Sequence, residues 1–452
     1  MTNINQDLIQ WQTFLAQHPK IEFIWLQFLS YTSMTNTRMV PVSKFTQMVE
    51  KSEYFSIPSL AWSIAPGGVT DGISPCGVFR LRPDISSSYC QAGSNGTRAV
   101  IQCYSIDSSK GTNPLKACPR TQLHILQETL RKTAGFSLLI GFEIELVFLK
   151  TTDAGIRVPI TNNDGWSCID ADEFANLNMI ESIVRALSEV GISLEHFHTE
   201  AGPGQWEFVL PPDTPIRAVD TLLKARDTIT NITRLHGVQM TLYPRISKTQ
   251  PSTGAHVHIS LNRTSTDHTH NPETPLKPSS EAFFGGVIHH MPSILAYTLP
   301  QDISYDRVRT GIFSGGEYAC WGWENKDTSL RRIADNRFEF KLMDGFANPY
   351  LALSAIIAAG LDGLTKGIPL RGGHCNIAAA KLSAEERETL GVNILLPKTL
   401  DGSFAALQAD QVLREYLGDD LVLGYIAVKR REINYLREMT DDERKDWLIS
   451  RY

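Results

Sequence analysis

The chain has 452 residues, a formal net charge of −6, 42% hydrophobic and 20% charged residues. That length overfills one small core, so two domains, one small and one large, are expected. Mild acidity without a basic run excludes the electrostatic footprint of a nucleic-acid binder, and the longest apolar run, Leu351 to Leu361, is too short to span a bilayer.

The seven cysteines (Cys76, Cys90, Cys103, Cys118, Cys168, Cys320, Cys375) are scattered without a CxxC pair. That pattern fits reduced thiols better than a disulfide framework. The first residues, Met1-Thr-Asn-Ile-Asn-Gln-Asp, lack a basic start followed by an apolar run. A cytoplasmic location is therefore expected. An amphipathic helix from residue 8 leads into a covered strand, Ile21–Leu29, with apolar residues on both faces. Pro41–Glu50 reads as a short helix and residues 65–75 as a loop. Strands follow at Gly77–Leu81 and Arg98–Tyr104. Residues 106–117, rich in Ser, Lys, Gly, Asn and Pro, read as a linker, which divides the chain into 1–112 and 113–452.

The second part opens with a helix, Arg120–Thr133, stopped by Gly135. The strand Ser137–Leu149 carries Glu143 and Glu145 two residues apart, hence on one face. Two carboxylates in so apolar a strand are costly unless neutralised; the bland alternative is a wet edge strand. Ala171–Val190 reads as one long helix. Glu200 and Glu207 flank a Gly-Pro-Gly turn, which folds the chain into a hairpin with a carboxylate on each arm. Thr214–Leu235 is a helix closed by Gly237. Ser252–Leu261 is a strand with His256, His258 and Ser260 on one face. A lone histidine is usually structural, but an HxH strand face also suits a metal.

Beyond it, Phe338, Phe340 and Leu342 share one strand face, and Arg337, Glu339 and Lys341 the other. Asn348-Pro349 starts a helix over Tyr350–Leu364 that is apolar nearly all round and so buried. Five carboxylates (Glu143, Glu145, Glu200, Glu207, Glu339) with His256 suit two hard divalent ions, Mg²⁺ or Mn²⁺. Arg307, Arg309, Lys326, Arg331, Arg332, Arg337 and Lys341 follow in sequence. Carboxylate-held metals beside Arg and Lys are the equipment of phosphoryl transfer, and no Walker glycine loop or kinase signature is present.

Four segments, in this order, resemble the glutamine synthetase family, type I and its fungal and γ-glutamyl-amine ligase relatives. They are Gly141-Phe-Glu-Ile-Glu, Ala201-Gly-Pro-Gly-Gln-Trp-Glu-Phe, Gly254-Ala-His-Val-His-Ile-Ser-Leu, and Arg337-Phe-Glu-Phe followed by Ala347-Asn-Pro-Tyr. The resemblance implies an α+β fold: a small N-terminal β-grasp domain, then a catalytic domain with a curved antiparallel sheet backed by helices, as in guanido kinases. It implies a homo-oligomeric ring with active sites between subunits. It also implies ATP as co-substrate, a carboxylate (γ-carboxyl of glutamate in the family) activated as an acyl phosphate, and an amine that converts it to an amide.

By the same resemblance, Glu145, Glu200 and Glu207 hold the metal near the acceptor carboxylate. Glu143, His256 and Glu339 hold the one on the ATP phosphates. Arg331, Arg337 and Lys326 serve the transferring phosphoryl group, with Lys326 where an Arg is usual. His258 and Ser260 lie on the nucleotide side. Arg307, Gly254, His198, Lys341 and Phe313 fall on the substrate side. The chain departs from the family pattern there: Lys341 replaces an Arg that binds the glutamate α-carboxylate, Pro251-Ser-Thr-Gly254 replaces an Asn-Gly loop, and Phe313 stands where a flap Glu closes the ammonium site. Glu317 replaces that Glu only if the flap is re-registered. The N-terminal Asp loop is replaced by Ala65-Pro-Gly-Gly-Val. These departures point to an amine other than ammonia. The rival readings are a non-catalytic scaffold, which predicts lost metal carboxylates, and phosphorylation of a guanidino compound, which rests on fold analogy alone.

Overall fold

In a computed structural model, residues 4–70, 76–107, 115–246, 251–264, 277–334 and 336–452 are described. The expected boundary at 112/113, most of the 106–117 linker and part of the 65–75 loop lie outside these residues.

The N-terminal part packs helix α1 (Ile4–Gln17) and helix α2 (Val42–Lys51) against a six-stranded sheet. Its strands are β1 (Phe23–Leu29), β2 (Thr35–Pro41), β3 (Phe55–Pro58), β6 (Val78–Pro83), β7 (Tyr89–Cys90) and β8 (Arg98–Asp107); a separate ribbon joins β4 (Ile64–Ala65) to β5 (Gly68–Val69). The order is β2-β1-β8-β6-β3, with β7 on β8. Strand β1 runs antiparallel to β2 and parallel to β8, Phe23 opposite Arg98. Buried Trp11 ties the two helices together by donating from Nε1 to Thr46 Oγ1 at 3.0 Å. The stretch 65–70, expected as loop, is half ribbon, because Pro66-Gly67 makes a turn tight enough for Ile64 to pair with Val69.

The larger sheet has nine strands: β9 (Phe136–Thr151), β10 (Arg157–Pro159), β11 (His196–Thr199), β12 (Gln205–Val209), β13 (Gln239–Thr241), β14 (Val257–Arg263), β15 (Trp321–Trp323), β16 (Leu330–Ala334) and β17 (Arg337–Phe340). The order is β11-β12-β9-β14-β17-β16-β15, with β10 and β13 also on β9. All its pairings are antiparallel except β15 with β16. Behind it lie α3 (Pro119–Thr129), α4 (Ala171–Phe174), α5 (Leu177–Glu189), α6 (Pro215–Leu235), α7 (Pro278–Thr298) and α8 (Pro349–Lys366). Five further helices complete the chain: α9 (Ala384–Leu390), α10 (Leu400–Ala409), α11 (Gln411–Leu417), α12 (Asp419–Arg437) and α13 (Asp441–Ile449).

The expected single helix 171–190 is two helices. Asp170 caps α4 by accepting from Glu173 N, and the Glu173 carboxylate turns inward to Thr161 Oγ1 (2.6 Å) and Trp206 Nε1 (3.3 Å). That inward pull ends the first helix, and the chain restarts at Asn176. Likewise the expected strand Ser252–Leu261 is regular only from Val257, although Glu143 N and Glu145 N of β9 still donate to His256 O (3.2 Å) and Gly254 O (3.3 Å). Before it, Gly254 N donates to Glu145 and Ala255 N to Met343 O, across the sheet edge. Helix α8 is as expected. Asn348 accepts from Tyr350 N and Leu351 N, Pro349 opens the helix, and Gly367 closes it at φ 65°. It lies on α7 at backbone distance: a Cβ on Gly286 would meet Ala359 O at 2.2 Å, and one on Gly363 would meet Ala282 O at 2.0 Å. Phe338 of β17 packs its ring on Phe284 of α7, centroids 4.1 Å apart, so the charged face of β17 has a rigid back.

Candidate active site

The site is built on the strand alternation of β9. Phe142, Ile144 and Leu146 are buried on the helix side, and Glu143 and Glu145 project from the other face. Register does the rest. Glu207 of β12 sits opposite Glu145, and Glu339 of β17 sits opposite His258 of β14 and Arg331 of β16. His256 enters between them: its Nδ1 is 2.8 Å from Glu143 Oε2, 3.3 Å from Glu145 Oε1 and 3.2 Å from Glu339 Oε1. His258 Nε2 lies 2.8 Å from the other oxygen of Glu143.

Two ligand sets result, each with its donor atoms within 4.8 Å of one another: Glu143, Glu145, Glu207, His256 and Glu143, His258, Glu339. A third set joins His196, His198 and Glu207. Glu200 belongs to none of the three but borders the third, with Oε1 3.4 Å from His198 Nε2 and Ala201 N donating to its Oε2 at 3.2 Å. The geometry therefore groups the ligands differently from the partition the resemblance implies, and it brings His258 among the carboxylates.

The electrostatics say what such a set needs. Burial, then the charges of Glu143, Glu145, Glu200 and Glu339, push Glu207 up to about 10. Burial also raises Glu145. Glu143 is held well below the usual carboxylate range, since the hydrogen bonds of His256 and His258 outweigh its burial. Glu339 resists its own burial and is pulled down to about 2, chiefly by Lys341 and His256. These carboxylates ionise together only with cations between them, and oxygen donors with an imidazole fit a hard divalent ion.

Protein cations close one side. Arg331 donates from Nη1 to Glu339 Oε2 at 3.0 Å and from Nε to Glu324 at 3.1 Å. Lys341, 3% exposed, places Nζ 3.0 Å from Glu339 Oε1. Arg307 is buried beneath the cluster. It bonds Ser252 Oγ at 3.2 Å, Thr253 O, and Lys341 O at 3.2 Å, and approaches His256 Nε2 to 3.4 Å. A Cβ on Gly254 would meet His256 Nε2 at 2.5 Å, so only glycine fits there.

At the rim the picture is different. Lys326 is exposed, its Nζ 5.8 Å from the centroid of the Trp166 ring, and Trp166 in turn stands edge-on to His198 at 5.5 Å. Arg337 is exposed, and Ser260 is buried on β14. Phe313 is 65% exposed with φ 59°, its N–H held by Asp327 Oδ1 at 3.1 Å. Glu317 is bound by Lys398 Nζ at 2.7 Å and by Thr310 N at 3.3 Å, so it does not take the position of Phe313.

Some functional neighbours are absent from the sequence reading. Gln205, whose Nε2 donates to Glu145 at 3.3 Å, sits two residues before Glu207, and strand alternation alone could have placed it on the same face. Glu324, the partner of Arg331, and Trp166, over His198, are brought in by tertiary contact only.

A curved sheet that gathers carboxylates and imidazoles on one face, with Arg and Lys at its edge, has the donor set that suits hard cations and phosphate. The model of the glutamine synthetase catalytic domain matches residues 116–448. Protein fluG of Emericella nidulans is 39% identical over 447 residues, 98% of this chain and 50% of that protein, so the chain spans half the length of this relative. The gamma-glutamylpolyamine synthetase GlnA3 of Streptomyces coelicolor is 31% identical over 382 residues, 82% of this chain and 80% of that one. A solved GmaS/ADP complex superposes with a TM-score of 0.82 at 23% identity, over 99% of this chain and 100% of that one, a likeness of fold. The chain belongs to the glutamine synthetase family.

Proposed function

We propose that the chain is an ATP-dependent carboxylate–amine ligase that joins the γ-carboxyl of L-glutamate to an amine larger and less polar than ammonia. The carrying observation is an asymmetry. The ligand carboxylates stand together on the sheet, whereas the flap offers an exposed Phe313 and keeps Glu317 tied to Lys398. The name of the gamma-glutamylpolyamine synthetase relative also points to an amine larger than ammonia.

In this reading a carboxylate oxygen of the acid attacks the γ-phosphorus of ATP and ADP departs. The amine nitrogen then attacks the acyl carbon, phosphate leaves, and the amine gives up a proton. Glu143, Glu145, Glu207, His256, His258 and Glu339, with Glu200 turning in, would hold two Mg²⁺ or Mn²⁺ ions. Such ions neutralise phosphate charge and orient the transferring oxygens. Arg331, oriented by Glu324 and Glu339, supplies fixed positive charge for the phosphoryl group. Exposed Arg337 and Lys326 are placed to meet the nucleotide and the substrate rim. Arg307 and Lys341 fix the floor under the acid. The working assembly is a homo-oligomeric ring in which a neighbour completes the site.

Phosphate release from ATP with Mg²⁺ or Mn²⁺ and L-glutamate, compared between ammonium and a panel of alkyl, aryl and polyamines with product masses, tests this. Release with larger amines and little with ammonium is expected. Strong release with ammonium alone would overturn the amine assignment, and no release with any amine would overturn the ligase reading for this acid.

A further inference from the structure

Away from the metal site, a cavity of about 440 Å³ lies between the hairpin β1–β2 and helix α6, bounded by residues 345–347 and 449–452. Arg226 of α6 lines it. One guanidinium nitrogen, Nη1, donates to Gly345 O at 3.2 Å and carries a second N–H. Nε and Nη2 are buried and bond nothing. No described carboxylate forms an ion pair with this charge. Asp227 also lines the cavity, together with Arg234 and Arg451, but its carboxylate is spent on Gln91 Nε2 (2.9 Å), Tyr89 Oη (3.1 Å) and Asn231 Nδ2 (3.1 Å). Asp344 acts on Arg226 only through its field, too far for a bond. Burial lowers the guanidinium pKa, yet an arginine keeps its proton inside a protein. Arg226 is half-buried, and a charge held out of water without a bonded counter-charge is costly; an ionisable group perturbed in this way beside a cavity marks a candidate ligand site.

We infer that this cavity is a binding site for a small oxyanion, a carboxylate or phosphate on a short organic body, with Arg226 as its counter-charge. The remaining wall fits that chemistry. Gln27, Thr37 and Thr230 offer hydrogen-bonding groups, and Leu223 and Leu242 offer apolar surface for the body. The volume lies within the range of small-molecule sites. None of these residues belongs to the ligand sets of the metal site, and the inference stands whatever amine the enzyme takes.

The test is thermal denaturation and titration calorimetry of the full chain with inorganic phosphate, short aliphatic carboxylates and free amino acids, each against chloride at equal ionic strength. Two variants accompany the wild type: Arg226→Met, which removes the charge, and Thr230→Phe, which keeps it and fills the cavity. A saturable rise in Tm with at least one oxyanion is expected, lost in both variants with a fall in affinity of about tenfold or more, as loss of a charge-assisted contact implies. A response to phosphate and not to carboxylates assigns the head group as phosphate; the reverse assigns a carboxylate. Ligand-free Arg226→Met should be at least as stable as wild type. If that variant does not fold, Thr230→Phe carries the test. No shift beyond chloride, or an undiminished shift in the variants, overturns the inference; the latter would place the anion elsewhere, as at the metal site.

Discussion

The face formed by β9, β14 and β17 and the rim around it are made differently. On the face, Glu145, Glu207, His256, Glu339, Lys341 and Arg307 are all less than a tenth exposed, and each touches another of the set or its backbone. Glu145, Glu207 and Glu339 owe their positions to strand register, which a single-residue slip would destroy, while His256 and Lys341 flank strand ends and Arg307 ends a short helical turn, 302–307. At the rim, Phe313 and Trp166 are 65% and 60% exposed, and left-handed backbone recurs at Phe313, Ser167 and Glu324. Charge handling is thus carried by strands, and contact with the variable substrate by turns.

The sharpest way to break that contrast is Glu339→Gln. It removes ligand charge with little change in volume, so phosphate release should fall on the order of 10²–10³-fold, the scale of losing one electrostatic stabiliser. Circular dichroism should still report a folded chain, although Lys341 and Arg331 lose their partner. Wild-type turnover would take Glu339 out of the chemistry. A smaller effect is expected at the rim. Phe313→Glu should shift the ratio of ammonium to large-amine turnover toward ammonium by about tenfold, the scale of one pocket group. Product masses from mixed-amine assays would read it, and an unchanged ratio would remove Phe313 from selection.

Stability changes behind the sheet should touch neither half of the comparison. His290 of α7 lies between Asp410 (2.7 Å) and Asp362 (3.1 Å). Burial opposes its charge, but the bonds and charges of the two carboxylates overcome burial and raise its pKa. A raised histidine contributes stability fully below its unfolded value of about 6.5 and loses it as pH climbs through the folded value. The Tm deficit of His290→Gln should therefore be widest in mild acid and narrow as pH rises; a deficit independent of pH would refute the protonated ring. Asn348→Ala, which removes the α8 cap and a 2.9 Å bond to Ser30 O, should cost about 1–2 kcal/mol. Chemical denaturation would measure it, with the affinity for ATP unchanged.

Period-two alternation made Glu143, Glu145, His256 and Glu339 legible in the chain, because burial on one strand face forces the other set to share a side. The cap at Asn348 and the closures at Gly135 and Gly237 were legible because their backbone chemistry is local. The break at Asn176 was not, since it depends on Glu173 reaching Trp206 across the fold. Nor was the pairing of Glu324 with Arg331, or the grouping of Glu143 with His258, which depends on which strands become neighbours. The five C-terminal helices carry no motif whose residue spacing points to chemistry.

The glycine contacts between α7 and α8 have a further meaning. With Ala359 O and Ala282 O standing where side-chain carbons would need to be, neither helix can slide or accept a larger residue without parting from the other. The pair moves as one slab, and Phe284 passes that stiffness to Phe338, one residue from Glu339. A side chain at Gly286 or Gly363 would push the two helices apart, so the back of the sheet tolerates less change than the exposed rim.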